Sequence, residues 1–225
     1  LLSGYPPPRD SDAPIELLYS DEHMLVLNKP SGLLSVPGRG PDKQDCLSAR
    51  AQRLYPDALI VHRLDMQTSG LLAMARGIDA QRAINRAFEQ RQVHKRYQAV
   101  VDGVARVPGG EEWGVIDLPL ELDWPNRPKH IVDHVNGRPS MTRWRVISAD
   151  PERGGTRLEL EPVTGRSHQL RVHLQAIGHP ILGDDLYASP DAVARANRLL
   201  LHACELNLPH PVTGELMAFF SPPPF

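Results

Sequence analysis

The nonapeptide His62-Arg63-Leu64-Asp65-Met66-Gln67-Thr68-Ser69-Gly70 sets one carboxylate and one guanidinium between two apolar runs. A carboxylate on a rigid loop can attack an anomeric carbon and leave a covalent sugar intermediate, as in retaining glycosidases. Upstream, Leu59-Ile60-Val61 reads as a short buried strand, and downstream Leu71-Leu72-Ala73-Met74-Ala75 reads as another. The polar stretch therefore joins two core strands, which is where functional side chains concentrate. Asp, Thr, Ser and Gly are also ordinary turn formers, and these residues alone do not choose between the two readings.

Other chemistries find little support. The chain has ten His, but His168 and His173 are five apart, about 140° around a helix, so they do not share a face as a metal-binding pair would. No metal is expected. There is no GxxxxGK[ST] phosphate loop and no GxSxG elbow, and Gly38-Arg39-Gly40 lacks the third glycine of a dinucleotide loop. Cys46 and Cys204 lie far apart without a CxxC pair, which points away from disulfides and zinc and toward a reducing compartment. With 225 residues, 41% of them hydrophobic, the chain can fill a sizeable core. No apolar run approaches the roughly 18 residues of a membrane span, and no signal-peptide pattern opens the chain. A cytoplasmic protein with no membrane partner is expected.

The net charge of −2 argues against wholesale attraction to nucleic acid. Local charge differs: Arg82, Arg86, Arg91, Lys95 and Arg96 stand against one acid, Glu89, across that stretch. Such a basic face suits a selective RNA partner, although a solvated helix face has the same composition.

The elements that must position Asp65 follow from the pattern. Residues 1–14, with Pro6-Pro7-Pro8, favour a flexible arm. Ile15–Tyr19 and Met24–Leu27 flank Ser20-Asp21-Glu22-His23 as a hairpin. Asn28-Lys29-Pro30-Ser31-Gly32 then breaks the pattern, and Lys29 is within reach of a phosphate if it faces solvent. Leu47, Ala51 and Leu54 form a helical stripe ended by Pro56. Asp79–Gln90 predicts a helix capped by Asp79, with Ala80, Ala83, Ile84, Ala87 and Phe88 on its apolar face. Val93–Val101 reads as a strand carrying Tyr97.

Residues 102–139 are rich in turn signals. Within them Asp123-Trp124-Pro125-Asn126-Arg127-Pro128-Lys129-His130 interleaves an aromatic with cations, a composition that can stack on a base and hold phosphates. The other reading of this loop is a surface turn anchored by a buried Trp124. Thr142–Ile147 and Arg157–Glu161 alternate as half-buried antiparallel strands. Ser167 is expected to cap a helix reaching about Ala176, with Leu170, Leu174 and Ile177 inward and His168, Arg171 and Gln175 on another face. Arg166 stands just before the positive end of that helix. Leu199–Ala203 and Leu216–Phe220 read as closing strands.

Five segments taken in order are distinctive: NKPSG at 28–32, HRLDMQTSG at 62–70, KRYQAVV at 95–101, GRSHQLRVH at 165–173 and LLLHA at 199–203. Together they resemble the RluA family of pseudouridine synthases, which turn a uridine in RNA into its C-glycoside isomer. The resemblance implies an α+β fold: a mixed, mostly antiparallel sheet flanked by helices and loops, with a central cleft. It implies a single catalytic domain over 15–225, with no S4 domain because only a short arm precedes the first strand. It makes Asp65 the nucleophile, Tyr97 the residue that stacks on the base and abstracts a proton, and Arg166 the partner of Asp65. Arg63, His62, Lys29, Arg127, Lys129, His168, Gln169 and Arg171 are then expected to bind substrate, with Arg63 filling the gap left by an unstacked uridine. No cofactor is required, because the leaving base is also the returning nucleophile. DLPLELDWPNRPKH at 117–130 is similar to the branch modifying both a tRNA anticodon stem-loop and 23S rRNA, and the chain is expected to be a monomer. A non-catalytic RNA-binding module and an RNA glycosylase remain as alternatives at this point.

Overall fold

The two apolar runs at the start of the chain form the expected hairpin: β1 (Glu16–Ser20) pairs antiparallel with β2 (Met24–Lys29). Asp21 makes the turn, its Oδ1 accepting from the backbone N–H groups of His23 and Met24, each at 2.7 Å. This computed structural model describes residues 15–152 and 154–225. The flexible arm expected over 1–14 lies outside the described residues.

Two units divide the fold. The first takes in the described residues up to His94 together with Ala203–Pro222. After β2 come α1 (Leu47–Leu54), β3 (Ala58–Ile60), β4 (Ser69–Arg76) and α2 (Ile78–Glu89). β4 pairs antiparallel with both β2 and β3. A strand covered on both faces carries a continuous apolar run, and Leu71 through Ala75 are all buried. Ala80 and Ile84 of α2 close one face, packing with Met24, Val26, Leu71, Ala73 and Ala75.

Helix starts departed from the sequence reading. α2 begins one residue before Asp79: Gly77, at φ +79, is the N-cap, and its carbonyl accepts from Gln81 N–H. Asp79 sits instead in the exposed first turn, paired with Arg82 at 3.5 Å. In α1 the Cys46 thiol accepts from Ala49 N–H as the N-cap. Leu47 and Ala51 are buried as expected, but Leu54, in the last turn, is 67% exposed.

The second unit takes in Lys95–His202 with Pro223–Phe225. It contains β5 (His94–Asp102, from Lys95 onward), β6 (Gly114–Asp117), β7 (Leu120–Leu122), β8 (His130–Val132), β9 (Met141–Asp150), β10 (Gly155–Pro162), α3 (Gln169–Ala176) and α4 (Pro190–Ala194). The strand order β5-β10-β9-β6 is antiparallel throughout. β7 and β8 form a separate hairpin, under which Leu120, Val172 and Tyr187 make a small core. α3 ends at Ala176 as read, but Ser167 does not cap it. His168 occupies the N-cap at φ +56 without a side-chain cap bond, and the Gln169 amide organises the turn instead.

The chain closes with β11 (Leu201–Pro209) paired antiparallel to β12 (Leu216–Phe220). β11 also neighbours β4. There Gly70, at φ +114, has no room for a side chain, since a Cβ would lie 2.3 Å from the Ala203 carbonyl oxygen. Few helices beside a mostly antiparallel sheet make this the expected α+β architecture. No helix among the described residues is long and apolar enough to cross a membrane.

Candidate active site

Asp65 lies half-buried on the loop between β3 and β4, and the backbone on either side of it is fixed. On the upstream side Ser35 Oγ donates to the Leu64 carbonyl at 2.6 Å while accepting from Leu64 N–H at 3.0 Å. On the downstream side Gly32 N–H donates to the Met66 carbonyl at 2.8 Å, and Ser31 Oγ donates to the Gln67 carbonyl at 2.6 Å. Thr68 N–H returns to the Asp65 carbonyl, closing a turn. The nonapeptide is thus both a turn and a platform. A carboxylate whose neighbours are already ordered loses little further entropy in reaching a reacting atom.

Lys29 belongs to this framework. Expected to reach a phosphate, it is instead fully buried, its Nζ donating to the carbonyls of Pro30, Leu33 and Met66 at 3.0, 2.7 and 2.9 Å. An ammonium carries its donors close together, so one side chain can gather carbonyls from two separate loops. His62 is also committed inward. Past Ile60 the β3 ladder ends, and His62 Nε2 accepts the Ala73 N–H at 2.9 Å in place of a backbone carbonyl. Its ring lies 5.1 Å from that of Phe88. Arg63, between these anchors, is exposed.

Tyr97 and Arg166 belong to the second unit. Tyr97 is on β5, 8% exposed and opposite Leu160 of β10. Two residues earlier Lys95 is buried enough that desolvation lowers its pKa. Arg166 is exposed on the loop between β10 and α3. That loop is shaped by Gln169, whose Oε1 accepts from Arg166 N–H and Thr164 Oγ1 and whose Nε2 donates to the Met141 carbonyl and Thr142 Oγ1. Only 3% exposed, Gln169 is turned into the protein, its amide committed to these internal bonds rather than offered to solvent.

Arg171 is corrected in the same sense. Its guanidinium makes two bonds to Asp184 at 2.7 and 2.8 Å, with side-chain exposures of 3% and 0%. A bidentate pair this deep orders the fold around α3, and the face it was expected to share with exposed Gln175 is split by burial. His173, two residues further, bonds Thr142 Oγ1 and the Leu118 carbonyl, and burial pushes its imidazole below the ordinary range.

The loop from Asp123 to His130 faces outward. Trp124 is 65% exposed, so the reading of a buried Trp anchor fails, and the Arg127 guanidinium lies 4.1 Å from its ring centroid. Lys129, on the same loop, is half-buried. The loop holds its shape through Asp123 N–H to the Lys129 carbonyl at 2.9 Å and Asn126 Nδ2 to Asp123 Oδ2 at 2.9 Å.

Sequence reasoning passed over Ser31 and Ser35. Ser31 lay in plain view inside NKPSG, whereas Ser35 carried no motif, since a Ser that pins a chain 29 residues away leaves no local signal.

The family described as RNA pseudouridylate synthase matches residues 23–176. The dual-specificity RNA pseudouridine synthase RluA of Yersinia pestis is 51% identical over 205 residues, covering 90% of this chain and 96% of that protein. Its namesake from Escherichia coli K12 is 48% identical over 224 residues, covering 100% and 99%. Among solved structures, Human RNA Pseudouridylate Synthase Domain Containing 1 superposes with a TM-score of 0.76 at 28% identity, over 97% of this chain and 86% of that one. Human RNA Pseudouridylate Synthase Domain Containing 4 gives 0.72 at 28% identity, over 93% and 88%. With the stapled Asp65 loop, the five motifs in order and relatives that match end to end, the chain belongs to the RNA pseudouridylate synthase family, enzymes that isomerise uridine in RNA.

Proposed function

We propose that this enzyme converts uridines in structured RNA to pseudouridine with Asp65 as its nucleophile, and that its substrates are a tRNA anticodon stem-loop and 23S rRNA. The observation that carries the first half is the pinning of Leu64 and Met66, which aims one carboxylate from a fixed backbone. The second half rests on the resemblance of segment 117–130 and on the words dual-specificity in the names of relatives 48–51% identical.

In this reading Asp65 initiates cleavage of the N1–C1′ bond, uracil turns within the site, and C5 bonds to C1′. The C5 proton then leaves, and N1, freed from the sugar, takes up one in its place. Atoms balance without a cofactor, since the base that departs is the base that returns. Arg166 is the counter-ion of Asp65, and Tyr97 stacks on uracil and takes part in the C5 deprotonation. Arg63, exposed two residues before Asp65, fills the gap left when the uridine unstacks, a step costing a few kcal/mol. Residues 15–225 act together as one catalytic domain in a cytoplasmic monomer.

The test is product analysis with purified protein and stem-loop RNA. The wild-type protein yields an isomer of unchanged mass, and Asp65→Asn lowers turnover by roughly 10⁴-fold or more while still binding RNA. Release of uracil with an abasic site would instead make the protein a glycosylase. Appreciable turnover by Asp65→Asn removes Asp65 from its role. Mapping pseudouridine in total RNA from cells lacking the protein names the sites.

A further inference from the structure

Tyr187 lies in none of the motifs, yet separate segments of the second unit converge on it. Its ring is buried with Leu120 and Val172 beneath the β7–β8 hairpin. The hydroxyl oxygen accepts from His130 N–H at 2.8 Å and lies 2.7 Å from His168 Nδ1. With one proton and two lone pairs, the hydroxyl satisfies both bonds at once whichever way the Nδ1 bond runs. His168 is held at φ +56, a left-handed conformation that a non-glycine residue keeps only when its surroundings enforce it.

The phenol is itself held from below. The Arg171 guanidinium lies 5.0 Å from the ring centroid. Asp184, which clamps Arg171, also accepts from the backbone N–H groups of Leu186 and Tyr187 at 3.1 and 3.2 Å. The buried Arg171–Asp184 pair therefore sets Tyr187, and Tyr187 sets two outward-facing segments. One begins at His130, where the loop carrying Trp124, Arg127 and Lys129 joins β8. The other is the 166–168 turn carrying Arg166.

We infer that Tyr187 is a positioning residue, whose hydroxyl ties the 123–130 loop to the His168–Arg166 turn so that both meet RNA as one pre-set surface. This rests on the proposed function in taking RNA as the ligand of that loop. Tyr187 does not touch RNA in this account; it acts through His130 and His168.

The experiment measures Kd for a stem-loop RNA, KM and kcat with the same RNA, and melting temperature, for wild type, Tyr187→Phe, Arg127→Ala and the double variant. Tyr187→Phe keeps the buried ring and removes the oxygen, so the fold is retained. Kd and KM rise about tenfold as the part-buried His130 N–H loses its acceptor, and kcat falls by less, because the turn carrying Arg166 loses one restraint. Because the hydroxyl acts in part through the loop that carries Arg127, the loss in the double variant falls short of the product of the two single losses. Wild-type Kd for Tyr187→Phe, or losses that multiply in the double variant, overturns the inference. The binding cycle decides this even if the wild-type protein forms no pseudouridine, an outcome that would sink the proposed function instead.

Discussion

The loop carrying Asp65 and the loop carrying Trp124 solve opposite problems with similar residues. Around Asp65 the cation Lys29 is fully buried and bonded to backbone carbonyls, and two serines pin the chain on either side. Around Trp124 the cation Arg127 lies outside, over an exposed indole, and the loop braces itself from within. The difference teaches that a charge type in a motif does not fix its use. A lysine beside the Asp65 loop orders backbone, whereas an arginine far along the chain presents itself to solvent.

Replacing Lys29 is the strongest way to break this comparison. Lys29→Met removes a donor from the carbonyls of Pro30, Leu33 and Met66, with an expected loss of about 3 kcal/mol in denaturant stability. Turnover falls with it because Met66 is next to Asp65. Affinity for RNA is expected to hold, and a salt-dependent loss of affinity with stability intact would return Lys29 to the phosphate.

Trp124→Ala sharpens the other side. Stacking on an unpaired base is worth about 1–3 kcal/mol, so binding of a stem-loop weakens to that extent while the melting temperature does not move. A drop in melting temperature with unchanged Kd would make Trp124 structural despite its exposure.

The smallest expected effect is a pH dependence centred on His173, buried between Thr142 and the Leu118 carbonyl. Burial favours its neutral form, so the folded-state pKa lies below the ordinary value of 6.5. As pH falls through 6.5 the unfolded chain takes up this proton first, and the His173 contribution to stability declines. Melting curves between pH 7.5 and 5, near and below the imidazole range, should show a downward slope that is reduced in His173→Gln. An equal slope in the variant assigns it to other groups.

What could be read from the sequence was whatever is local. The hairpin around Asp21, the buried β4 run and the apolar face of α2 are patterns within a dozen residues, and the structure has them. Helix starts were missed because Asp79 and Ser167 are good capping types, while the backbone chose Gly77 and His168. The inward turn of Lys29, Gln169 and Arg171 was illegible for a different reason. Each is a polar residue in a motif, and its partner, Met66, Met141 or Asp184, lies from 13 to 37 residues away. Periodicity records which face a side chain is on but not whether a distant carbonyl or carboxylate will be there to meet it.

The reciprocal bond between Ser35 and Leu64 has a consequence for anyone moving this loop to another scaffold. The nine residues from His62 to Gly70 carry the carboxylate but not the information that aims it. That information is shared with residues 29–35, through Lys29, Ser31, Gly32 and Ser35. The transferable part is therefore discontinuous, two short segments that travel as a pair, with a glycine kept where Gly70 meets Ala203. A one-residue insertion between Ser31 and Ser35 would leave all nine residues of the loop untouched and still put the carboxylate out of line.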